Sequence, residues 1–173
     1  MSRKIVLSFP GGRGPEIPLL YFGAKYFEDQ GYEKVFVNHP VDGEKTFEAL
    51  FANAEKTIER IAIEEYDEIV FIAKSIGTEV ACKLKEKHNL AASLVLFTPT
   101  CEALPFIKSD NDILLVAAGE NDRHLDTDTV VQLCEKESVN YYVEPNVGHR
   151  MEVMNDLERN LQIISNVLQN LKA

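Results

Sequence analysis

A serine, an aspartate and a histidine, at Ser75, Asp122 and His149, each follow a different apolar run of this sequence. A serine hydroxyl is a poor nucleophile until a base removes its proton, and an imidazole with a pKa of ~6.5 can do so near neutral pH. A carboxylate can in turn orient the imidazole and stabilise its charged form. The three residue types therefore predict covalent catalysis at Ser75, provided that the fold brings them together.

The residues around Ser75 predict a special turn. The pentapeptide from Ala73 to Gly77 has the pattern A-x-S-x-G and lies between a buried apolar run and a helical stripe that starts at Ile76. A sharp strand-to-helix turn strains its central residue and needs small residues two positions before and after it. It would project the Ser75 hydroxyl out of the sheet at the positive end of a helix. Alternatively, Ser75 only caps the helix, which serine does well.

Each partner of Ser75 also has a structural interpretation. Asp122 could be a turn or cap residue, and His149 could be a loop histidine with its hydrogen bonds satisfied. Other residues of the same types are rivals: Asp126 and Asp128 for the acid, which are better placed to open a helix, and His39 and His124 for a place at the pocket rim.

Strand and helix patterns alternate along the whole chain. Six apolar runs predict strands: 5–9, 35–37, 69–73, 94–97, 113–117 and 139–143. Runs of four or more apolar residues indicate strands covered on both faces, whereas the shorter second run and the more polar sixth are typical of sheet edges. The alternation requires crossover connections and predicts a parallel, doubly wound α/β sheet with helices on both faces.

Two intervening segments give more specific expectations. Residues 98–112, with two prolines, have room for a short helical piece only. The last helix has the clearest apolar stripe, which we expect to face the core. Its members are Met154, Leu157, Leu161, Ile164, Leu168 and Leu171.

Composition limits the class of protein. The chain has 173 residues, 45% of them hydrophobic and 27% charged, which fits one domain over residues 1–173. A formal charge of -10 makes nucleic acid and anionic membrane surfaces poor partners. The three cysteines form no C-x-x-C pair, and the N-terminus shows no signal-peptide pattern. We therefore expect a cytoplasmic protein with reduced thiols that serve as small core side chains.

Motifs for cofactors and metals are missing from the sequence. The glycine-rich segment 11–15 lacks the lysine and hydroxyl residue of a phosphate loop, and it does not fit G-x-G-x-x-G. The four histidines have no metal-ligand spacing, and the segment 122–124 has no partners at such a spacing. We expect neither a cofactor nor a metal.

Taken together, the motifs resemble the α/β-hydrolase superfamily over nearly the whole chain. The A-x-S-x-G turn, a Gly-x-x-Asp ending at Asp122 and a Gly-His ending at His149 occur in the order that this family uses. The resemblance implies Ser75 as nucleophile, Asp122 as acid and His149 as base. It also implies a minimal fold without a cap domain: six parallel strands in the local order 2-1-3-4-5-6. Ala73 departs from the more common glycine but is still small.

The same chemistry requires donors for an oxyanion. We expect the backbone N–H groups of Ile76, at the helix start, and Gly12, in the loop after the first strand. With no lid, the pocket walls should come from short loops at 10–15, 39–43, 100–106 and 123–125. A neighbouring Asp122 should hold the pKa of His149 at or above its ordinary value.

Together, these features predict a serine hydrolase that cleaves a small or accessible ester or thioester through an acyl-enzyme. The same catalytic residues could also act on a peptide or an amide. The alternative is a non-catalytic binding or scaffold protein that keeps the hydrolase fold.

Overall fold

The protein is described by a computed structural model that covers residues 2–15, 17–40 and 43–171. Its strands are β1 (Lys4–Phe9), β2 (Glu33–Phe36), β3 (Glu68–Ser75), β4 (Ala92–Pro99), β5 (Ile113–Gly119) and β6 (Tyr141–Glu144). Its helices are α1 (Pro18–Glu28), α2 (Phe47–Ile61), α3 (Ile76–Lys87), α4 (Thr127–Glu137) and α5 (Leu157–Asn170), with short 3₁₀ helices at Ile63–Glu65 and Cys101–Phe106. In these described ranges, no helix combines the length and apolarity that crossing a membrane requires.

The six strands form one sheet in the order β2-β1-β3-β4-β5-β6, and every neighbouring pair is parallel. The predicted fold class and strand order are therefore confirmed. Because all strands run the same way, their carboxyl ends meet at one edge, where ligands bind in open parallel sheets.

Helices cover both faces of the sheet, as expected for strands that are apolar throughout. On one face, α2, α3 and α4 pack in a core that includes Phe71 of β3 and Val80 of α3. On the other face, α1 and α5 pack in a core that includes Ile72 of β3, Leu20 of α1 and Ile163 of α5. Successive residues of β3 thus alternate between the two cores.

The prediction for the core face of α5 is wrong. Met154 precedes the helix and is 82% exposed, and Leu157 and Leu161 are also exposed, whereas Ile163 and Val167 are fully buried. The face that meets the sheet also carries asparagines, which find hydrogen bonds there: Asn160 with Val153 and Asn166 with Glu144. Because polar residues with hydrogen-bond partners interrupt this face, the apolar spacing of the sequence did not indicate that it is the buried one.

The expectation that all cysteines are core side chains holds for Cys82 and Cys134 but not for Cys101, which is exposed. Cys101 is the first residue of the 3₁₀ helix that follows β4, and this position is on the surface. This six-residue helix, Cys101–Phe106, is the short helical piece expected between β4 and β5. The rest of that connection is needed for the crossover, so it adds no cap over the sheet edge.

Candidate active site

Ser75 lies at the junction of β3 and α3 in a backbone conformation that serine rarely adopts, with φ 56° and ψ -131°. Such a conformation is typical of a strained functional turn. The Ser75 side chain makes no capping hydrogen bond to α3. Helix capping therefore does not account for this serine, and its hydroxyl is available for another partner.

Small residues make this turn possible, as the sequence pattern predicted. A Cβ atom on Gly77 would lie 2.5 Å from the carbonyl oxygen of Phe9 and 2.7 Å from that of Pro10. A Cβ atom on Gly11 would lie 3.0 Å from the Cβ of Ser75. The end of β1 and the loop after it therefore pack closely against both the serine and the first turn of α3.

The structure brings Ser75, Asp122 and His149 together. The Nε2 atom of His149 is 2.9 Å from the Ser75 Oγ, and its Nδ1 atom is 2.7 Å from the Asp122 Oδ2. With the proton on Nδ1, the imidazole donates to the carboxylate and Nε2 can accept the serine proton. The sheet order, which places β3 and β5 on either side of β4, lets residues far apart in sequence converge here.

The Asp122 carboxylate is fixed by two contacts. Besides its bond to His149, its Oδ1 accepts a hydrogen bond of 2.8 Å from the backbone N–H of His124. The side chain of Asp122 is 3% exposed, so the carboxylate itself is shielded from bulk water. A buried carboxylate with both oxygens engaged can orient an imidazole without moving.

The rival residues occupy other positions. Asp126 caps α4 by accepting from the backbone N–H of Thr129, and Asp128 lies in the first turn of that helix. The His39 Nε2 is 2.9 Å from the carbonyl oxygen of Gly11 and so stabilises the loop after β1. His124 borders the pocket, with its ring centroid 4.4 Å from that of His149.

Of the two expected oxyanion donors, Ile76 follows the serine directly, and Gly12 lines the same pocket as the serine. Ile76 is the first residue of α3, where the backbone N–H groups have no partner within the helix. Gly12 borders the pocket, and a Cβ atom there would meet nothing within 4 Å. The glycine that packs against the turn is Gly11, so the close backbone approach expected of Gly12 belongs to its neighbour.

A pocket of about 500 Å³ lies over the serine, within the range that small-molecule sites occupy. Residues 11–13 and 99–102 form its walls, and Lys74 and Ser75 lie at its base. Of the expected wall loops, 39–43 does not border it at the described positions, and Val41 and Asp42 lie outside the described residues.

Four further lining residues were not anticipated: Ile17, Lys74, Pro99 and Arg150. Ile17 and Pro99 lie close in sequence to predicted wall loops, and Arg150 directly follows His149. Lys74 carried a signal that could have been used, because a lysine at the end of an otherwise apolar buried strand needs a reason for its burial.

The pKa of the His149 imidazole lies below its ordinary value of 6.5, opposite to the expectation from Asp122 alone. Burial is the largest cause, because it disfavours the charged form. The hydrogen bond that the imidazole donates to Asp122 opposes this shift, whereas electrostatic interactions with Lys74 and His124 add to it. The neutral, proton-accepting imidazole is therefore favoured.

Within the part of the chain that the structure describes, no group of three or more histidine, cysteine, aspartate or glutamate side chains could hold a metal ion. The three cysteines are free, and the pKa of each thiol is raised: by burial for Cys82 and Cys134, and chiefly by a hydrogen bond to Glu102 for Cys101. None of them is an activated thiolate.

Comparison with known proteins relates this chain to solved structures only. No family model matches the sequence, and no curated protein matches it. A serine hydrolase homologue from Coxiella burnetii aligns with a TM-score of 0.74 and 14% identity over 99% of this chain and 86% of that one. A serine hydrolase without a lid from Xanthomonas campestris aligns with a TM-score of 0.71 and 13% identity over 99% and 83%.

Est1E from Butyrivibrio proteoclasticus, solved with ferulic acid bound, aligns with a TM-score of 0.69 and 9% identity over 99% of this chain and 91% of that one. All three likenesses extend over nearly the whole chain. With the strand order, the strained serine turn and the short connection after β4, they show that this chain has the α/β-hydrolase fold in its form without a lid.

Proposed function

We propose that the protein is a serine hydrolase that cleaves an ester or thioester through an acyl-enzyme. The observation that carries this proposal is the hydrogen-bonded chain from the Ser75 Oγ through His149 to the Asp122 carboxylate, with contacts of 2.9 and 2.7 Å. A buried acid, a histidine kept neutral and a strained serine that borders the pocket are what nucleophilic catalysis requires.

In the first half of the reaction, the Ser75 Oγ attacks the acyl carbon while His149 takes the hydroxyl proton. The backbone N–H groups of Ile76 and Gly12 would donate to the oxyanion. When the tetrahedral intermediate collapses, the bond to the alcohol or thiol breaks, and His149 returns its proton to that leaving group.

In the second half, a water molecule gives a proton to His149 and attacks the acyl carbon. The bond to Ser75 then breaks, the acid leaves, and the serine regains its proton from His149. No step requires a redox or metal cofactor.

The shape of the pocket favours a substrate with a small acyl group, or an ester that projects from a larger molecule. Its walls are short loops, and several lining residues, such as Arg13, Glu102 and Arg150, are exposed. With no lid to open, a lipid surface should not activate the enzyme. A series of p-nitrophenyl esters should show a preference for short chains and no rate increase above the micelle threshold.

A fluorophosphonate probe tests the function itself. We expect labelling that depends on the native fold, maps to Ser75 and is lost in Ser75→Ala. The matched control is Ser109→Ala, which changes an exposed serine in the turn before β5 and should label like the wild type. A folded wild-type protein that neither labels nor hydrolyses any ester would instead favour the non-catalytic binding protein.

A further inference from the structure

Lys74, directly before the serine, is a charged residue that the triad does not explain. It lies in β3 between Ala73 and Ser75 and is only 5% exposed. Lysine is almost never buried to this extent without a partner, because removing an ammonium from water is costly. The question is what this burial achieves.

The direction of the Lys74 side chain follows from strand geometry. Ile72 and Val70, two and four residues earlier in β3, pack in the core shared with α1 and α5. Alternation along the strand places Lys74 on that same side of the sheet. The segment that carries His149 lies just before α5 and reaches the same side.

The Lys74 Nζ atom makes two hydrogen bonds there. It donates to the hydroxyl of Thr98, in β4, at 2.8 Å and to the backbone carbonyl of His149 at 2.7 Å. The second bond joins the strand that carries the nucleophile to the main chain of the base. Residues 145–156 contain neither helix nor strand, so this segment depends on such contacts for its position.

The charges around this contact act in both directions. Asp122 and Glu152 favour the charged form of Lys74, whereas Arg13 disfavours it, and burial lowers its pKa to about 8. Around His149, Asp122 favours the imidazolium, whereas Lys74 and His124 disfavour it. At neutral pH the ammonium therefore still carries its charge, bound to the main chain of His149, and opposes protonation of the imidazole.

We propose that Lys74 is a positioning residue, whose ammonium ties the main chain of His149 to the strand that carries Ser75 and whose positive charge opposes protonation of the imidazole. The proposal rests on the function proposed above. It assigns Lys74 no contact with the substrate and no proton transfer.

The principal test is Lys74→Met, which keeps the length of the side chain and removes both the charge and the hydrogen bonds. We expect kcat to fall, by ~10²-fold if the imidazole is displaced by about 1 Å, with KM little changed. We also expect the acid limb of the pH profile to move to higher pH, because a repelling charge has gone. The control is Lys25→Met, which removes an equal charge from a half-exposed lysine on α1 paired with Asp29 and should change neither quantity.

A second variant separates charge from packing. Thr98→Val keeps the ammonium and removes only its hydroxyl partner, so the acid limb should stay where it is in the wild type. A purely structural lysine would make both variants less stable and leave the acid limb of both unchanged. That result, or Lys74→Met with wild-type kcat and pH profile, would overturn the proposal.

Measurements on the wild type cover the case in which Lys74→Met does not fold. By NMR, the Lys74 side chain should titrate at about pH 8, and the His149 ring signals should respond to the same step. A His149 signal that ignores the titration of Lys74 would refute the coupling. This measurement needs no turnover, so it still decides the role of Lys74 if the fluorophosphonate test fails.

Discussion

The serine and the histidine of the site are held by different kinds of structure. Ser75 lies between a buried strand and a helix. Its position is set by its backbone conformation and by two close backbone contacts: Gly11 packs against Ser75, and Gly77 packs against the carbonyl of Phe9. His149 lies in a segment of twelve residues, 145–156, without helix or strand. Its position depends on hydrogen bonds with residues far away in the sequence: Lys74 donates to its carbonyl, its Nδ1 donates to Asp122, and Asn121 donates to the carbonyl of nearby Val147.

This difference separates two ways of building a site. The position of the nucleophile is encoded mainly in the backbone of residues 73–77 and in the loop after β1 that packs against it, and moving it would disrupt the junction of β3 and α3. The position of the base is encoded in contacts between residues far apart in sequence. We therefore expect changes on the serine side to act mainly on stability, and changes on the histidine side to act mainly on turnover.

The largest effect should come from Asp122→Asn on the histidine side. The amide would favour the imidazole tautomer that cannot accept the serine proton, and kcat should fall by ~10⁴ with the fold retained. Asp126→Asn is the matched control, because it makes the same change four residues later in a residue that only caps α4, where asparagine caps equally well. Ester hydrolysis by both variants decides the matter: turnover lost in the control and kept in Asp122→Asn would mean that the acid is misassigned.

The next test uses two glycines, Gly77 beside the serine and Gly119 beside the segment that carries the histidine. A Cβ atom on Gly77 or on Gly119 would lie 2.5 Å from a backbone oxygen, of Phe9 and Gly148 respectively. The Phe9 oxygen belongs to a buried strand that cannot yield, so Gly77→Ala should lower the free energy of unfolding by about 3 kcal/mol. The Gly148 oxygen belongs to the irregular histidine segment, so Gly119→Ala should cost about 1 kcal/mol while lowering kcat more strongly.

Denaturant unfolding and ester hydrolysis measure both glycine variants. Gly23→Ala is the control: it lies inside α1, its Cβ would meet nothing closer than 3.5 Å, and alanine favours a helix by about 0.5–1 kcal/mol over glycine. It should be at least as stable as the wild type. Equal losses of stability in Gly77→Ala and Gly119→Ala would break the contrast between the two sides.

The same contrast explains what could be predicted from the sequence. The individual strands and the turn at Ser75 follow from local patterns, because apolar runs and small residues at fixed spacing act within a few positions. The strand order was implied by the resemblance to the α/β-hydrolase superfamily. Asp122 and His149 were found by their order and by the strands that they follow. Their hydrogen-bond geometry could not be predicted, since it depends on how separate loops meet.

Two features of the structure were not predicted from the sequence, for a related reason. The face of α5 that meets the sheet carries Asn160, which bonds Val153, and Asn166, which bonds the distant Glu144, so an apolar pattern pointed to the wrong face. Lys74 is buried because Thr98 and the His149 carbonyl satisfy it. For Lys74 and Asn166 the partners are far away in the sequence, and a local pattern does not contain such contacts.

Strain at the serine predicts a smaller effect of opposite sign on stability. The backbone of Ser75, at φ 56° and ψ -131°, costs a residue with a Cβ of order 1–3 kcal/mol, whereas glycine accepts it more readily. Glycine also makes the unfolded chain more flexible, which offsets about 0.5–1 kcal/mol of the gain. Ser75→Gly should therefore be about 1 kcal/mol more stable than Ser75→Ala, both being inactive. Thermal unfolding of the pair measures this, and equal stability would show that the turn is unstrained.

The smallest effect concerns pH and tests the surroundings of the histidine. Burial lowers the pKa of His149 more than its hydrogen bond to Asp122 raises it, with Lys74 and His124 adding to the lowering. A base must be neutral to accept the serine proton, so activity should fall as the pH drops through that pKa. The acid limb of kcat/KM should consequently have its midpoint below 6.5, the ordinary value. In Asp122→Asn, whatever activity remains should show a limb at still lower pH, because the group that favours the imidazolium is gone. A wild-type midpoint above 6.5 would mean that the carboxylate outweighs burial, and that the histidine side is more solvated than its contacts indicate.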